Sequence, residues 1–283
     1  MNKILLTGST GFIGSQFLKN LSQNNKIYVT LRKKNKKILK NTNIVEVYFK
    51  NLNNLNNRLK KISVDIVIHC ATHYVKQHEF NDINKLSESN ILFGNIILEN
   101  IKNMKVKKFI NFTTVWENFN GEKDNYFNLY SVYKKNFSNL ISFYNKKSND
   151  TKFYNLFISD TFGEADKRKK IINLLRTNFK KNKCTSIVSR NLFLNLLNVK
   201  DIVAAVNMII KKNIVSGNYT LKNNKTFSIS KIISTLNATS EKKIDIEWIS
   251  NKVLKEKIYN YKAIKGWRPN NSKISNIVDL IKR

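Results

Sequence analysis

The sequence predicts an α/β fold in which helices cover both faces of a parallel sheet. Through the first half of its 283 residues, apolar runs of strand length alternate with amphipathic segments of helical length. Alternation of this kind produces parallel strands joined by right-handed crossovers. A glycine-rich turn follows the first apolar run, and the alternation ends after residue 163. A smaller C-terminal lobe is therefore expected beside the sheet.

The glycine-rich turn predicts a dinucleotide site. Gly8, Gly11 and Gly14 follow the apolar run Ile4-Leu5-Leu6 with the spacing of a Rossmann-type, doubly wound fold. The first glycine permits the tight turn, the second lets the backbone approach a pyrophosphate, and the third lets the helix pack near the strand. The helix N-terminus directs unpaired N–H groups and a positive dipole end at the phosphates. The predicted cofactor contacts of this turn are Gly8, Ser9, Thr10, Gly11, Phe12, Ile13 and Gly14.

The pattern also assigns the individual elements and domains. Strands are expected at Lys3–Thr7, Lys26–Leu31, Ile44–Phe49, Asp65–Cys70, Lys108–Phe112, Thr151–Ile158 and Ile244–Trp248. Helices are expected at Phe12–Gln23, Leu52–Ile62, Ser87–Met104, Leu129–Lys146, Ile171–Phe179, Val199–Ile210 and Ser228–Leu236. Residues 1–158 should form the cofactor-binding core, rejoined by about 186–222. Residues 159–185 and 223–283 should form the substrate-binding lobe.

Composition limits the possible partners and compartment. No apolar run approaches the about 20 residues that a membrane span needs, so no membrane insertion is expected. The net charge of +32 would attract polyanions, including a nucleotide-diphosphate substrate. Only seven of the 51 basic residues are Arg, and Lys is spread along the whole chain, which argues against specific nucleic-acid binding. Two cysteines and a first strand that begins at Lys3 predict free thiols and a cytoplasmic protein.

A second motif, Tyr130-Ser131-Val132-Tyr133-Lys134, suggests proton chemistry. Tyr130 and Lys134 are four residues apart on a predicted helix, so their side chains share a face. The pKa of a free Tyr is about 10, and an adjacent ammonium favours the phenolate. We therefore expect Lys134 to lower the pKa of Tyr130. The alternatives are an aromatic core residue beside a Lys that reaches solvent, and Tyr133 as a competing aromatic.

Together these motifs resemble the extended short-chain dehydrogenase/reductase family of nucleotide-sugar epimerases, dehydratases and reductases. The resemblance covers essentially the whole chain. It is carried by Thr7–Gly14, Val64–Ala71, Asn90 with Gly94, Tyr130 with Lys134, Asp160–Gly163, Val199–Asp201 and Trp267–Pro269. Within the family, Thr114–Trp116, Asn128–Tyr130 and Lys170–Asn173 most resemble CDP-abequose-type synthases. Those enzymes reduce a 4-keto-6-deoxy nucleotide sugar.

The resemblance implies roles for particular residues. Tyr130 would exchange a proton with the substrate oxygen, and Lys134 would support it and hold the cofactor ribose. Thr114, with Thr113 beside it, would supply the hydroxyl at the end of the fifth strand, although a count back from Trp116 places Phe112 there instead. Further cofactor contacts would be Arg32, Asn51, Leu52, Cys70, Ala71, Thr72 and Asn90. Substrate contacts would be Thr114, Trp116, Asp160, Lys167, Arg168, Arg190 and Asn195, and no metal is expected.

Differences between this sequence and the family's motifs limit the reactions that the chain is expected to catalyse. Sugar dehydratases place Asp-Glu after the catalytic Thr, whereas Val115 and Trp116 follow Thr114 here, which argues against dehydration. Combined epimerase-reductases need a Cys or His beside that hydroxyl, and neither Cys70 nor Cys184 lies in that stretch. Hydride transfer at one carbon remains, either as a reductase or as a C4 epimerase.

The end of the second strand indicates the cofactor. Enzymes that use NAD usually place Asp or Glu there, but this strand continues into Arg32 and Lys33. Arg32 suits the 2′-phosphate of NADP, and NADPH fits a biosynthetic reductase. We therefore expect an NADPH-dependent reductase of a 4-keto-6-deoxy nucleotide-diphosphate sugar destined for a surface glycan. An NAD-dependent C4 epimerase and a non-catalytic NADP- or polyanion-binding protein are the alternatives. The resemblance also implies a homodimer formed through the helices near Ser87–Met104 and Leu129–Lys146.

Overall fold

A parallel sheet forms the centre of the molecule. The computed structural model describes residues 1–33 and 42–283. Within these residues the main sheet has seven strands in the order β11-β6-β5-β4-β1-β2-β3, all parallel. Its strands are β1 (Lys3–Thr7), β2 (Lys26–Leu31), β3 (Ile44–Tyr48), β4 (Ile66–His69), β5 (Lys108–Thr114), β6 (Lys152–Ile158) and β11 (Gly217–Leu221). This confirms the predicted α/β, Rossmann-type fold, and the strand order changes direction between β1 and β4.

Helices cover both faces of the sheet. They are α1 (Phe12–Leu21), α2 (Leu52–Leu59), α3 (Phe80–Ser87), α4 (Phe93–Glu99), α5 (Leu129–Lys147), α6 (Ile171–Lys181), α7 (Val199–Lys211), α8 (Ile229–Ala238) and α9 (Ile274–Lys282). Side chains alternate along each strand: Ile4 and Leu6 pack in the layer that includes α1 and α7, whereas Leu5 packs in the layer that includes α2, α4 and α5. None of these helices is long and apolar enough to cross a bilayer.

The prediction of one continuous α-helix at Ser87–Met104 is wrong. The chain makes α3 and then a π-helical turn at Glu88–Leu92 before α4 begins. The wider turn coincides with Asn90, whose side chain accepts from the His73 N–H at 2.7 Å and donates to the His73 carbonyl oxygen at 3.0 Å. These bonds connect the helix to the segment after β4. A contact between segments this far apart cannot be inferred from the helical periodicity of the sequence. The α-helix then ends at Glu99.

The C-terminal lobe has its own apolar core. Phe162, Leu175, Ile232 and Ile281 pack there, drawn from β7 (Asp160–Phe162), α6, α8 and α9. The lobe's other strands are β8 (Thr185–Ile187), β9 (Leu192–Leu194), β10 (Leu196–Asn198), β12 (Phe227–Ser228), β13 (Ile246–Trp248) and β14 (Leu254–Lys255). Ile187 belongs to this core. Strand β11 and helix α9 were not predicted from the sequence.

Candidate active site

A large cavity lies at the carboxyl edge of the sheet. Its volume is about 820 Å³, and it borders the segments that follow β1, β2, β4, β5 and β6. Because parallel strands end at the same edge, residues far apart in sequence meet there, next to the reversal of strand order. The predicted residues that line it are Gly8, Thr10, Gly11, Phe12, Ile13, Gly14, Arg32, Cys70, Ala71, Thr72, Thr113, Thr114, Trp116, Tyr130, Lys134, Asp160 and Arg168.

The glycine turn has the geometry of a phosphate cradle. Gly8 has a φ of +65°, and its carbonyl oxygen accepts from the Gly11 N–H at 2.9 Å. A Cβ on Gly8 would lie 2.7 Å from the Ala71 nitrogen, and one on Gly14 would overlap the Gly8 carbonyl. The N-cap residue of α1 is Gly11, which has no side chain to cap the helix, and residues 11–14 line the cavity, so the N-terminus of α1 lies at its edge. The Ser9 hydroxyl is buried and finds no partner among the described residues. These features fit a dinucleotide pyrophosphate.

The end of β2 forms one end of the cavity. Thr30, Leu31, Arg32 and Lys33 all line it. No acidic residue follows β2 before Lys33, so the ribose contact typical of NAD enzymes has no carboxylate there. Glu88 of the π-helical turn borders the same cavity, although the sequence analysis did not identify it.

Tyr130 and Lys134 lie in the middle of the cavity wall. Asn128 caps α5 by accepting from the Ser131 N–H at 3.0 Å, which fixes where this helix begins. Tyr130 and Lys134 are both buried, and the Lys134 Nζ donates to the Phe112 carbonyl oxygen at 2.8 Å. That Nζ lies 5.9 Å from the centroid of the Tyr130 ring. The helix therefore brings both side chains to the cavity, with the ammonium anchored on β5.

The expected fall in the Tyr130 pKa is wrong for this structure. Burial raises the pKa of Tyr130 above its usual value, and a hydrogen bond with Thr72 opposes this only in part. Burial also lowers the pKa of Lys134 to about 8, while the charge of Glu117 raises it. Desolvation penalises the charged forms of both side chains, so burial, and not the Lys134 ammonium, determines the direction of the Tyr130 shift. The phenol is therefore protonated at neutral pH.

Two threonine hydroxyls lie at the carboxyl end of β5. The strand runs to Thr114, two residues beyond the predicted end at Phe112. Phe112, Thr113 and Thr114 all line the cavity, and the Phe112 ring also packs on Phe17 with centroids 5.4 Å apart, so only the two threonines offer a hydroxyl there. The Thr114 Oγ1 accepts from the Trp116 N–H at 3.2 Å, and the Thr113 Oγ1 has no partner within the described ranges. Thr113 is 2% exposed and its hydroxyl is buried, so Thr114 is the better placed of the two to meet a substrate oxygen in the cavity.

Cations and aromatic rings form the far half of the cavity. Arg168 is held by Asp166 and by Thr161, and its guanidinium lies 4.5 Å from the Phe12 ring centroid. Lys170 forms an ion pair with Asp160. Its Nζ lies 5.3 Å from the Trp116 ring centroid.

Tyr74 and Lys170 line this half of the cavity, although the sequence analysis named neither as a site residue. The Lys170 Nζ lies 5.7 Å from the Tyr74 ring centroid. The edge of Tyr74 meets Tyr130, with centroids 5.1 Å apart. Lys170 could have been recognised from the sequence, because it belongs to the basic stretch Arg168–Lys170 and immediately precedes helix α6.

Three predicted substrate contacts lie away from this cavity. Lys167 and Arg190 are exposed, and the Arg190 N–H donates to the Ser250 carbonyl oxygen at 3.0 Å. The Asn195 side chain is occupied by Asn223, donating to its carbonyl oxygen at 2.8 Å and accepting from its N–H at 2.9 Å. The structure therefore does not bring these three residues to the cavity wall.

Four predicted cofactor contacts also lie outside the cavity wall. Ser9 is buried behind the glycine turn, and Asn51 caps α2 by accepting from the Asn54 N–H at 2.8 Å, just before Leu52. The Asn90 Oδ1 accepts from the Thr72 hydroxyl at 3.0 Å. Asn90 thereby positions Thr72, which does line the cavity and contacts Tyr130. No group of three or more His, Cys, Asp or Glu side chains suited to a metal occurs in the described part of the chain.

Comparison with known proteins places this chain in a family. The model of the NAD-dependent epimerase/dehydratase family matches residues 4–221. A dTDP-D-glucose 4,6-dehydratase from Dictyostelium discoideum is 30% identical over 78% of this chain, which spans only 58% of that protein. A CDP-abequose synthase from Yersinia pseudotuberculosis is 27% identical over 80% of this chain and 78% of its own length.

Solved structures share the fold. A UDP-glucuronic acid 4-epimerase from Bacillus cereus superposes with a TM-score of 0.78 at 20% identity, covering 99% of both chains. A dTDP-glucose 4,6-dehydratase from Bacillus anthracis superposes with a TM-score of 0.80 at 19% identity, covering 100% of this chain and 96% of its own. Because the matched residues contain the glycine turn, the helix with Tyr130 and Lys134 and almost all of the main sheet, the chain belongs to the NAD-dependent epimerase/dehydratase family of enzymes.

Proposed function

We propose that this protein acts on nucleotide sugars and is an NADPH-dependent reductase of a 4-keto-6-deoxy nucleotide-diphosphate sugar used in surface-glycan synthesis. The observation that supports this is the meeting of Tyr130, Lys134 and Thr114 in one cavity with the glycine cradle. The similarity to CDP-abequose synthases supports the substrate class.

Each side chain would have a separate role in the reduction. The dinucleotide supplies the hydride when it is bound. Tyr130 donates its proton to the C4 oxygen, and Thr114 hydrogen-bonds that oxygen and orients it. Lys134 would hold the cofactor ribose, and its ammonium would stabilise the phenolate that remains on Tyr130. Because the pKa of Tyr130 is raised, the phenol starts protonated, which suits a reduction better than an oxidation that needs a base.

The diphosphate of the substrate would lie toward the lobe. Arg168 and Lys170 are the cations that line that half of the cavity, in place of Lys167 and Arg190. Asp160 neutralises Lys170 and Asp166 pairs with Arg168, so both cations are held in position before the substrate binds. Trp116 and Tyr74 flank Lys170 and offer flat apolar surfaces for a sugar ring.

Turnover with a defined substrate panel tests the proposal. The purified protein is incubated with NADPH and the 4-keto-6-deoxy derivatives of CDP-, dTDP-, UDP- and GDP-hexoses, and the loss of NADPH absorbance is followed. We expect oxidation of NADPH with at least one of them. Interconversion of C4 epimers without net NADPH oxidation would favour the epimerase. Salt-sensitive binding of polyanions without any turnover would favour a non-catalytic protein.

Arg32 is expected to set the preference for NADPH. Replacing Arg32 with Ala should weaken NADPH binding about 10- to 100-fold, because a charged hydrogen bond to the 2′-phosphate contributes about 1.5–3 kcal/mol. NADH binding should change little, since NADH has no such phosphate. Fluorescence titration with both nucleotides measures this, with the exposed Arg58→Ala as control. An equal loss of affinity for NADPH and NADH would show that Arg32 does not contact the 2′-phosphate.

We also propose a homodimer formed through the π-helical turn at Glu88–Leu92, α4 and α5. Leu92 in that turn and Phe143 on α5 are large apolar side chains that are exposed, and covering them with a second chain would remove apolar surface from water. Sedimentation equilibrium should give twice the mass of one chain. Phe143→Asp should shift the protein to monomer, whereas Val253→Asp in the lobe should not. A monomeric wild-type protein would contradict the proposal.

A further inference from the structure

We propose that the amino edge of the main sheet, opposite the cavity, is a docking surface for the headgroups of anionic lipids. Four connections that lead into β4, β5, β6 and β11 form this surface. We call them the basic face: residues 60–65, 102–108, 146–152 and 211–216. A protein bound through the basic face lies on a membrane without spanning it, and its cavity stays open to solution.

The topology of the sheet brings these connections together. Helices α2, α4, α5 and α7 each run back to the start of the next parallel strand, so all four end at the amino edge. The Val64 N–H donates to the Met104 carbonyl oxygen at 2.9 Å, which joins the first connection to the second. The Lys152 N–H donates to the Lys107 carbonyl oxygen at 2.8 Å, and the Lys152 Nζ bonds the Asn213 side chain. The basic face is therefore one continuous surface.

The basic face carries more uncompensated positive charge than the rest of the chain. Its four connections contain eleven lysines and two acidic residues, Asp65 and Asp150, whereas the whole chain has 51 basic and 19 acidic residues. Among the described residues, Lys107 is the one lysine of this face in an ion pair, with Asp65 at 3.4 Å. By contrast, Arg168 and Lys170 in the cavity both pair with an aspartate. The charge of the basic face is thus free to act on a partner.

Helix stability accounts for only part of this lysine content. Lysines near the C-terminus of a helix can bond its last carbonyl groups. Lys108 does so for α7, because its Nζ donates to the carbonyl oxygens of Ile209 and Ile210 at 2.7 and 2.9 Å. Two other lysines in each connection are exposed, and their Nζ atoms have no hydrogen-bond or ion-pair partner within residues 1–33 and 42–283. One of these, Lys105, has a φ of +59°, which favours glycine or asparagine, so the fold gives no reason for a lysine there.

The composition of the basic face favours lipid over nucleic acid. Its four connections contain no Arg, whose planar fork reads phosphates and base edges, and no aromatic ring on which a base could stack. Lysine clusters act as point charges beside anionic headgroups. Val215, close in sequence to Lys211 and Lys212, is 70% exposed. An apolar side chain among lysines can enter the boundary between headgroups and acyl chains.

Sedimentation with lipid vesicles tests the proposal. The full chain is mixed with vesicles of equal parts phosphatidylcholine and phosphatidylglycerol, or of phosphatidylcholine alone, and the bound fraction is measured against lipid concentration. We expect binding to the anionic vesicles only. Binding should be lost as salt rises from about 0.1 M to about 1 M, because the screening length falls from about 10 Å to about 3 Å. Binding to both kinds of vesicle alike would contradict the proposal.

A fourfold variant of the basic face measures its contribution. Lys102→Gln, Lys105→Gln, Lys146→Gln and Lys147→Gln together should weaken binding to anionic vesicles by more than about 100-fold, since each lysine near such a surface contributes about five-fold. The matched control changes four lysines that are exposed in the C-terminal lobe, and it should keep vesicle affinity within about five-fold of wild type. Its substitutions are Lys183→Gln, Lys225→Gln, Lys231→Gln and Lys252→Gln.

The remaining measurements separate this proposal from the others. Circular dichroism shows whether each variant is folded, and the smaller double change Lys60→Gln with Lys61→Gln, expected to weaken vesicle binding about 25-fold, serves if the fourfold variant does not fold. Vesicle binding needs neither cofactor nor substrate, so its result is independent of the proposed reduction. Equal weakening by the basic-face and lobe variants would show that net charge alone matters and would overturn the proposal. Binding to duplex RNA or DNA without binding to anionic vesicles would overturn it as well.

Discussion

Replacing Tyr130 with Phe is expected to lower kcat by about 10²- to 10⁴-fold, the usual contribution of a positioned proton donor. The change removes one hydroxyl from a buried ring and leaves the ring's edge contact with Tyr74 in place. The fold and NADPH affinity should therefore persist. Steady-state kinetics on the reactive 4-keto sugar, together with NADPH titration, measure the two effects separately.

Tyr133 provides the matched control on the same helix. Its hydroxyl forms a hydrogen bond of 2.9 Å with Ser87, away from the cavity wall. Tyr133→Phe should leave kcat within about two-fold of wild type, since a surface-side hydrogen bond contributes little to the reaction. If Tyr130→Phe retained full rate while Tyr133→Phe did not, the assignment of the proton donor would be reversed.

Replacing Gly14 with Ala is expected to remove dinucleotide binding and destabilise the fold. The new Cβ would overlap the Gly8 carbonyl oxygen and lie 2.7 Å from its carbon. These are backbone atoms at the start of the cradle, so they cannot move aside as a flexible side chain would. Overpacking of this kind costs about 1–3 kcal/mol or more, and the loss of cradle geometry should weaken NADPH binding by over about 100-fold.

Thermal denaturation and NADPH titration measure these two effects. Lys19→Ala is the control, since Lys19 is exposed on the same helix. It should leave both the melting temperature and the affinity near the wild-type values. If a folded Gly14→Ala protein bound NADPH with wild-type affinity, the helix and the turn would not need to approach so closely. The glycine cradle would then not be the phosphate site.

Some features of this protein could be predicted because they depend on short stretches of chain. The turn at Gly8 requires a positive φ directly after a buried strand, and both features depend only on the few residues around Gly8. The cap at Asn128 and the spacing of Tyr130 and Lys134 are equally local. Strands β1 and β2 therefore have their predicted bounds.

Other features depend on contacts between distant segments. β11 lies at the edge of the main sheet and pairs with β6, and its sequence carries Gly and Asn where a strand pattern would alternate. The π-helical turn at Glu88–Leu92 depends on Asn90 reaching His73. Asn195 was predicted to contact a substrate, but its side chain is hydrogen-bonded to the backbone of Asn223, 28 residues later in the chain.

The amino-acid sequence by itself determined the parallel α/β architecture, the glycine cradle and the helix that pairs Tyr130 with Lys134, because periodicity, turn geometry and capping act over a few residues. Only the tertiary structure decided which cations reach the cavity and how its proton donors titrate. Lys170 enters the cavity while Lys167 does not, and burial reverses the expected direction of the Tyr130 pKa. Desolvation depends on every element that packs around a group, and that surrounding shell is assembled from residues far apart in the chain.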